Sequence, residues 1–180
     1  MPETVLRRTS DHEVVEVLED NHELRERLAD KALGEAVFEK VSVGSGGFTA
    51  PVKMLLPPGF DASQKYPVLV YVYGGPGSQR VDPVWGVSWD DYLSTNYGIV
   101  CVCIDGRGSG FQSTEYLFQL YHTLGTVEVE DQIAVTRQLL ERFQFLDASR
   151  VGIWGWSYGG YATLMTLATD VEDVFKCGEF

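Results

Sequence analysis

Trp154-Gly155-Trp156-Ser157-Tyr158-Gly159-Gly160-Tyr161 follows directly on the apolar run Arg150-Val151-Gly152-Ile153-Trp154 and leads into a second apolar stretch, Tyr161 to Thr169. The run reads as a buried strand and the stretch as a helix, so a G-x-S-x-G pattern falls on a strand-to-helix turn. A serine held there sits on a sharp, strained bend. The residues two before and two after it must lack side chains if strand and helix are to approach each other. Gly155 and Gly159 meet that condition. The strand before, the helix after and Gly160 behind favour this elbow over a glycine-rich turn with an incidental serine. The reading sets Ser157 Oγ at the carboxyl edge of a sheet as a candidate nucleophile, with the Tyr158 N–H at the helix start facing a developing oxyanion.

Upstream, Tyr66 to Tyr73 and Gly98 to Ile104 are apolar without alternation, which marks strands buried on both faces. The first ends in Gly74-Gly75-Pro76-Gly77 and the second in Asp105-Gly106-Arg107-Gly108. Trp85 to Tyr97 is expected to be helical. So is Thr126 to Phe145, where Val129, Ile133, Leu139, Leu140 and Phe143 recur at helical spacing and Thr126 with Val129-Glu130 lies near the start. Val37 to Val43 and Phe48 to Leu56 form a hairpin across Gly44-Ser45-Gly46-Gly47. A leading hairpin followed by alternating strands and helices predicts an α/β domain with a mainly parallel sheet. Glu13 to Glu19 is expected as an exposed strand, followed by a helix from His22 to Leu33 capped by Asp20-Asn21 and stopped by Gly34, with a seam near residue 34.

The 180 residues are 44% hydrophobic, with nine Phe, nine Tyr and four Trp, the profile of a globular chain. A net charge of -12 without a dense Lys/Arg cluster repels phosphate backbones and argues against nucleic acid as a partner. No apolar run reaches the ~18 residues needed to span a bilayer, and the first residues lack a signal-peptide stretch. Cys101 and Cys103 are expected on opposite faces of one strand and unpaired. With Cys177 near the end, no spacing suggests zinc, and neither metal nor cofactor is expected.

Tyr73 ends a buried strand at the edge where α/β proteins bind ligands, and its phenol can donate to an oxyanion. On spacing alone, a strand-end tyrosine half packed in the core is the plainer reading. Asp105-Gly106-Arg107-Gly108-Ser109-Gly110 fits neither the dinucleotide nor the Walker pattern and reads as a tight loop with a structural Arg107. A serine nucleophile also needs a base, and in α/β hydrolases the chain order is nucleophile, acid, histidine. His12, His22 and His122 all precede Ser157. His122 reads as a surface residue, and Asp170, Glu172 and Asp173 follow the serine too closely to serve as the triad acid.

Gly155 to Tyr161 resembles the nucleophile motif of the dipeptidyl peptidase IV and fibroblast activation protein family, within the prolyl oligopeptidase clan. Val72-Tyr73-Gly74-Gly75-Pro76-Gly77-Ser78-Gln79, Asp105 to Gly110, Val129-Glu130-Asp131-Gln132 and Val174-Phe175-Lys176-Cys177-Gly178 resemble further blocks of that family in the same order. The likeness runs from about Val14 to Gly178. It implies a β-propeller joined to an α/β-hydrolase domain, acting on peptides to release N-terminal dipeptides with Pro or Ala second. Residues 1–33 would then be the end of the propeller and a connecting helix, and 34–180 the N-terminal portion of the hydrolase domain. The resemblance implies Ser157 as nucleophile and Tyr73 as donor of the oxyanion hydroxyl. It implies Tyr158 as both oxyanion N–H and wall of the proline pocket, with Trp156 beside it in substrate binding.

The same likeness implies a homodimeric parent, extracellular or held at the plasma membrane by an anchor absent here. Cys177 is similar to a cysteine whose disulfide partner lies near the family's C-terminus. Several departures stand beside it. Gly77 occupies a position where several relatives have cysteine, and Glu179-Phe180 interrupts the apolar strand expected after Cys177-Gly178. The catalytic Asp and His are expected beyond residue 180, so these residues alone are expected to be an inert fragment. The alternatives are an esterase or acyl-peptide hydrolase on the same fold, and a non-catalytic interaction isoform.

Overall fold

The computed structural model describes all residues from 1 to 180. They separate into two compact units, one of Met1–Ala32 with Pro83–Val87 and one of Leu33–Asp82 with Ser88–Phe180.

In the first unit, β1 (Thr4–Arg7) pairs antiparallel with β2 (Val14–Glu19), and α1 (His22–Leu28) follows. Sequence reasoning found β2 but not β1, because four residues ending in arginine carry no usable periodicity. Of the expected pair only Asp20 caps through its side chain: its Oδ1 accepts from His22 N at 2.8 Å, while Asn21 takes a left-handed φ of 57° and donates from Nδ2 to Pro2 O. The helix stops at Leu28 rather than Leu33. None of its side chains is buried, so no packing sustains it beyond two turns.

The second unit is built on a six-stranded sheet in the spatial order β3 (Glu35–Val43), β4 (Phe48–Leu56), β6 (Val100–Ile104), β5 (Tyr66–Tyr71), β7 (Leu146–Trp154), β8 (Cys177–Glu179). β3 and β4 form the expected hairpin, in register from Glu35 opposite Leu56 to Val43 opposite Phe48. β4 runs antiparallel to β6. β5, β7 and β8 complete a parallel half with β6. Val100, Cys101, Val102, Cys103 and Ile104 are all buried, which is why β6 is apolar without alternation. The architecture is an α/β domain with a mainly parallel sheet, as the element order predicted, and it agrees with the α/β-hydrolase fold that the family resemblance implied.

The helices are α2 (Trp89–Tyr97), α3 (Thr114–Phe118), α4 (Val127–Arg142) and α5 (Tyr158–Thr169). α2 begins four residues later than expected, at a capping box in which Ser88 N donates to Asp91 Oδ2 at 2.7 Å. α4 ends at Arg142 because Phe143 turns extended, with φ −109° and ψ 100°. β7 starts at Leu146, earlier than Arg150, since buried Leu146 pairs with Tyr66 ahead of a register shift. β8 runs through Glu179 despite its acid: an exposed side chain does not prevent backbone pairing with Trp154. The expectation for Cys101 and Cys103 is corrected. Residues two apart share a strand face, and both thiols are free and buried on the same side of β6. No helix is long and apolar enough to cross a membrane.

The loop from Asp105 to Gly110 is structural, as expected. Arg107 is clamped to Asp131 by its own N–H (2.7 Å), by Nε (3.0 and 3.1 Å) and by a terminal guanidinium nitrogen (2.7 Å). The side chains are 12% and 1% exposed. Breaking a buried pair strands the remaining charge, so Asp131→Asn is expected to destabilise the fold by about 3 kcal/mol. A urea unfolding curve measures this. A midpoint unchanged from that of the parent chain would reduce the clamp to a surface contact.

Candidate active site

β5 is flanked by β6 on one side and β7 on the other, so the chain reverses its direction of winding across the sheet at β5. A crevice opens at the carboxyl ends of strands at such a switch point. The two segments leaving the sheet there are Val72 to Gly77, after β5, and Gly155 to Tyr158, after β7. Val72 N donates to Trp154 O at 3.0 Å and holds them side by side.

Ser157 occupies the turn between β7 and α5 with φ 58° and ψ −125°. That is a strained conformation for a residue with a Cβ, of the kind expected at an elbow. The turn is crowded by backbone atoms on both sides of the serine. A Cβ on Gly155 would lie 2.5 Å from both Gly159 O and Val72 O, and one on Gly159 would press still closer on Val72 O. Gly160 is different, since its nearest neighbour would be 3.4 Å away. The side chain of Ser157 is exposed at the rim of the sheet. Gly160 N and Tyr161 N both donate to Ser157 O, which starts α5. The Tyr158 N–H, at the first helical position, has no acceptor inside the helix and points with the positive end of the helix dipole.

Tyr73, half-buried just past β5, is brought beside Tyr158, with ring centroids 6.3 Å apart and planes inclined by 44°. Its glycine-rich turn is braced by the Arg107 loop: Gly77 N donates to Gly108 O and Gly110 N to Ser78 O, both at 2.9 Å. Gly75 lies against both rings. A Cβ there would sit 2.7 Å from Tyr73 Cε1 and 3.5 Å from Tyr158 Cγ.

Trp156 is 64% exposed, but it is not loose. Its Nε1 donates to Tyr71 Oη at 3.0 Å, and Tyr71 is sandwiched between Trp154 (stacked at 4.2 Å) and the Arg80 guanidinium (4.0 Å from the ring centre). Tyr158 Oη donates to Glu128 Oε1 at 2.9 Å. Burial, and then this carboxylate partner, push the Tyr158 phenol far above its ordinary value, so it stays protonated. Glu128 itself was not singled out by sequence reasoning, which had only an acid near a helix start to go on.

Burial raises the Cys103 thiol to about 12 and that of Cys101 higher still, so neither supplies a thiolate near neutral pH. His122 lies on the exposed segment between α3 and α4, its ring 4.0 Å from that of Tyr121. Tyr73 and Tyr158 thus lie together past the carboxyl ends of β5 and β7, with Ser157 on the turn next to Tyr158, while the Trp156 indole is held on Tyr71.

Residues 85–179 match the family model described as the prolyl oligopeptidase family. The chain is 43% identical to venom dipeptidyl peptidase 4 of Apis mellifera over 94% of its own length and 22% of the relative's. It is 46% identical to prolyl endopeptidase FAP of Mus musculus, over 91% of the chain and 21% of that protein. The crystal structure of Porphyromonas gingivalis dipeptidyl peptidase 4 superposes with a TM-score of 0.88 at 37% identity, covering 98% of this chain and 24% of that one. The chain therefore spans about a fifth of the length of the curated relatives it matches.

Proposed function

Since the chain belongs to the prolyl oligopeptidase family of serine peptidases, we propose that Ser157 is the nucleophile of a peptidase that releases X-Pro and X-Ala dipeptides from peptide N-termini. The observation that carries this is the strained turn at Ser157, with φ 58° and ψ −125°, closed on both sides by glycines that admit no side chain.

In this reading Ser157 Oγ adds to the scissile carbonyl carbon as its proton passes to a histidine outside these residues. The carbonyl oxygen becomes an oxyanion between the Tyr158 N–H and the Tyr73 hydroxyl. Collapse of the tetrahedral adduct breaks the C–N bond. The histidine gives its proton to the leaving amine, and water then hydrolyses the acyl-enzyme. Trp156 and the Tyr158 ring line the substrate side. The whole protein would act outside the cell or at the plasma membrane, as a homodimer. Residues 1–33 would close a propeller, and 34–180 would begin the hydrolase domain. The venom relative's name and the similarity to dipeptidyl peptidase 4 support this reading.

A fluorophosphonate label tests it. In the whole protein Ser157 is expected to react, and Gly-Pro amides to turn over faster than simple esters. The 180-residue chain alone is expected to stay unlabelled, because an incomplete triad costs roughly a million-fold. An unlabelled whole protein, or a preference for esters, would reject the assignment.

A further inference from the structure

Glu128 lies in the first turn of α4 and is only 2% exposed. An acid at that position is ordinarily a solvated group that caps orphan N–H donors. Glu128 does cap, since its Oε1 accepts from Gly125 N at 2.5 Å and its Oε2 from Thr126 N at 3.0 Å. Capping does not require burial, however, and the carboxylate has a third donor from a different helix, the phenol of Tyr158 at 2.9 Å. Three charge-assisted hydrogen bonds offset the cost of burying the group, and each is stronger than a neutral one.

Around this junction there is little slack. The Tyr161 ring stands edge-on to Tyr158 at 5.4 Å, and Gly125 packs directly against the Tyr161 hydroxyl with no room for a Cβ. Tyr158 is therefore fixed at both ends, by the α5 start at its backbone and by Glu128 at its hydroxyl.

We infer that Glu128 is a positioning residue of the active site, which sets the aim of the Tyr158 N–H by holding the far end of the Tyr158 side chain. The inference rests on the reading of Ser157 as nucleophile. It adds that the start of α4 is a working part of the oxyanion side, linked to it by one hydrogen bond.

The experiment is a double-mutant cycle in the whole protein, read as kcat and KM on a Gly-Pro amide and as Ser157 labelling rate. Glu128→Gln leaves one acceptor oxygen for three donors and is expected to lower kcat roughly ten-fold, the worth of one hydrogen bond to a charged group, with KM changed less than two-fold. Tyr158→Phe breaks the same bond from the other side while leaving the cap of α4 intact, and is expected to give a similar loss. The decisive result is the double variant, expected to be no slower than Tyr158→Phe alone. Additive losses would assign Glu128 to helix capping only and overturn the inference. So would a Glu128→Gln enzyme as fast as the parent. If Glu128→Gln does not fold, a fully active Tyr158→Phe enzyme overturns it equally. Failure of the parent protein itself to label would instead reject the nucleophile assignment on which all of this stands.

Discussion

Gly159→Ala is expected to destroy the elbow, while Gly160→Ala, one residue on, leaves it intact. Both positions lie at the start of α5, where alanine is intrinsically favoured over glycine by about 1 kcal/mol. Propensity alone therefore predicts that both substitutions stabilise. Sterics separate them. A Cβ on Gly159 meets the Val72 carbonyl oxygen and lies 3.1 Å from Tyr73 Cα. These are backbone atoms of the segment just past β5, tied into the sheet by the hydrogen bond from Val72 N to Trp154 O, so no side chain can swing aside. Strand and helix must part, which costs about 3 kcal/mol as an overpacked contact. The motion also carries Ser157 and the Tyr158 N–H away from Tyr73. Gly159→Ala should thus lower the unfolding midpoint and abolish fluorophosphonate labelling of Ser157 in the whole protein. Gly160→Ala, with 3.4 Å to its nearest neighbour, should label normally and unfold at the same or higher denaturant. Equal behaviour of the two variants would show that the glycines serve the helix start in general and not the approach of β7 and α5.

That contrast also marks what the sequence made legible. The elbow was readable because its chemistry imposes a local pattern: a buried strand, two obligatory small residues and a helix, all within a dozen positions. The parallel strands were readable because burial on both faces removes alternation, as in Val68 to Tyr71 and Val100 to Ile104. Ends were less legible. α1 stops at Leu28 because nothing packs on it, and α2 waits for the Ser88–Asp91 box although Trp85 onward has helical character. β1 and α3 are too short for any period to show. The most consequential omission is Glu128. Its neighbours Glu130 and Asp131 differ greatly in fate, since Glu130 is exposed and Asp131 is buried on Arg107, and all three look alike in sequence. What distinguishes Glu128 is a partner thirty residues later on another helix, and long-range pairing of that kind leaves no local trace. Tyr73 is the intermediate case. Its strand-end position was readable, but not its approach to Tyr158, which depends on where β5 and β7 lie in the sheet.

Ser157→Gly is expected to raise stability while removing nearly all turnover. The φ of 58° and ψ of −125° at Ser157 are the mirror image of an ordinary extended conformation, open to glycine and unfavourable for any residue with a Cβ. Strain of this kind costs about 1–3 kcal/mol, and glycine returns roughly 0.5–1 kcal/mol of that through the greater freedom of the unfolded chain. A net gain of about 1 kcal/mol remains. Ser157→Ala serves as the control, because it removes the hydroxyl but keeps the Cβ and with it the strain. Both variants should lose roughly a million-fold in turnover, the scale set by removal of a serine nucleophile. Only Ser157→Gly should unfold at higher urea than the parent. The comparison separates two explanations that activity measurements cannot. If the turn is strained in order to thrust Oγ out over the sheet edge, relieving it stabilises the protein at the expense of the chemistry, the trade-off expected at an active site. If Ser157→Gly and Ser157→Ala unfold together, the surrounding segments do not hold the serine against its preference, and the bend is merely the route from β7 to α5.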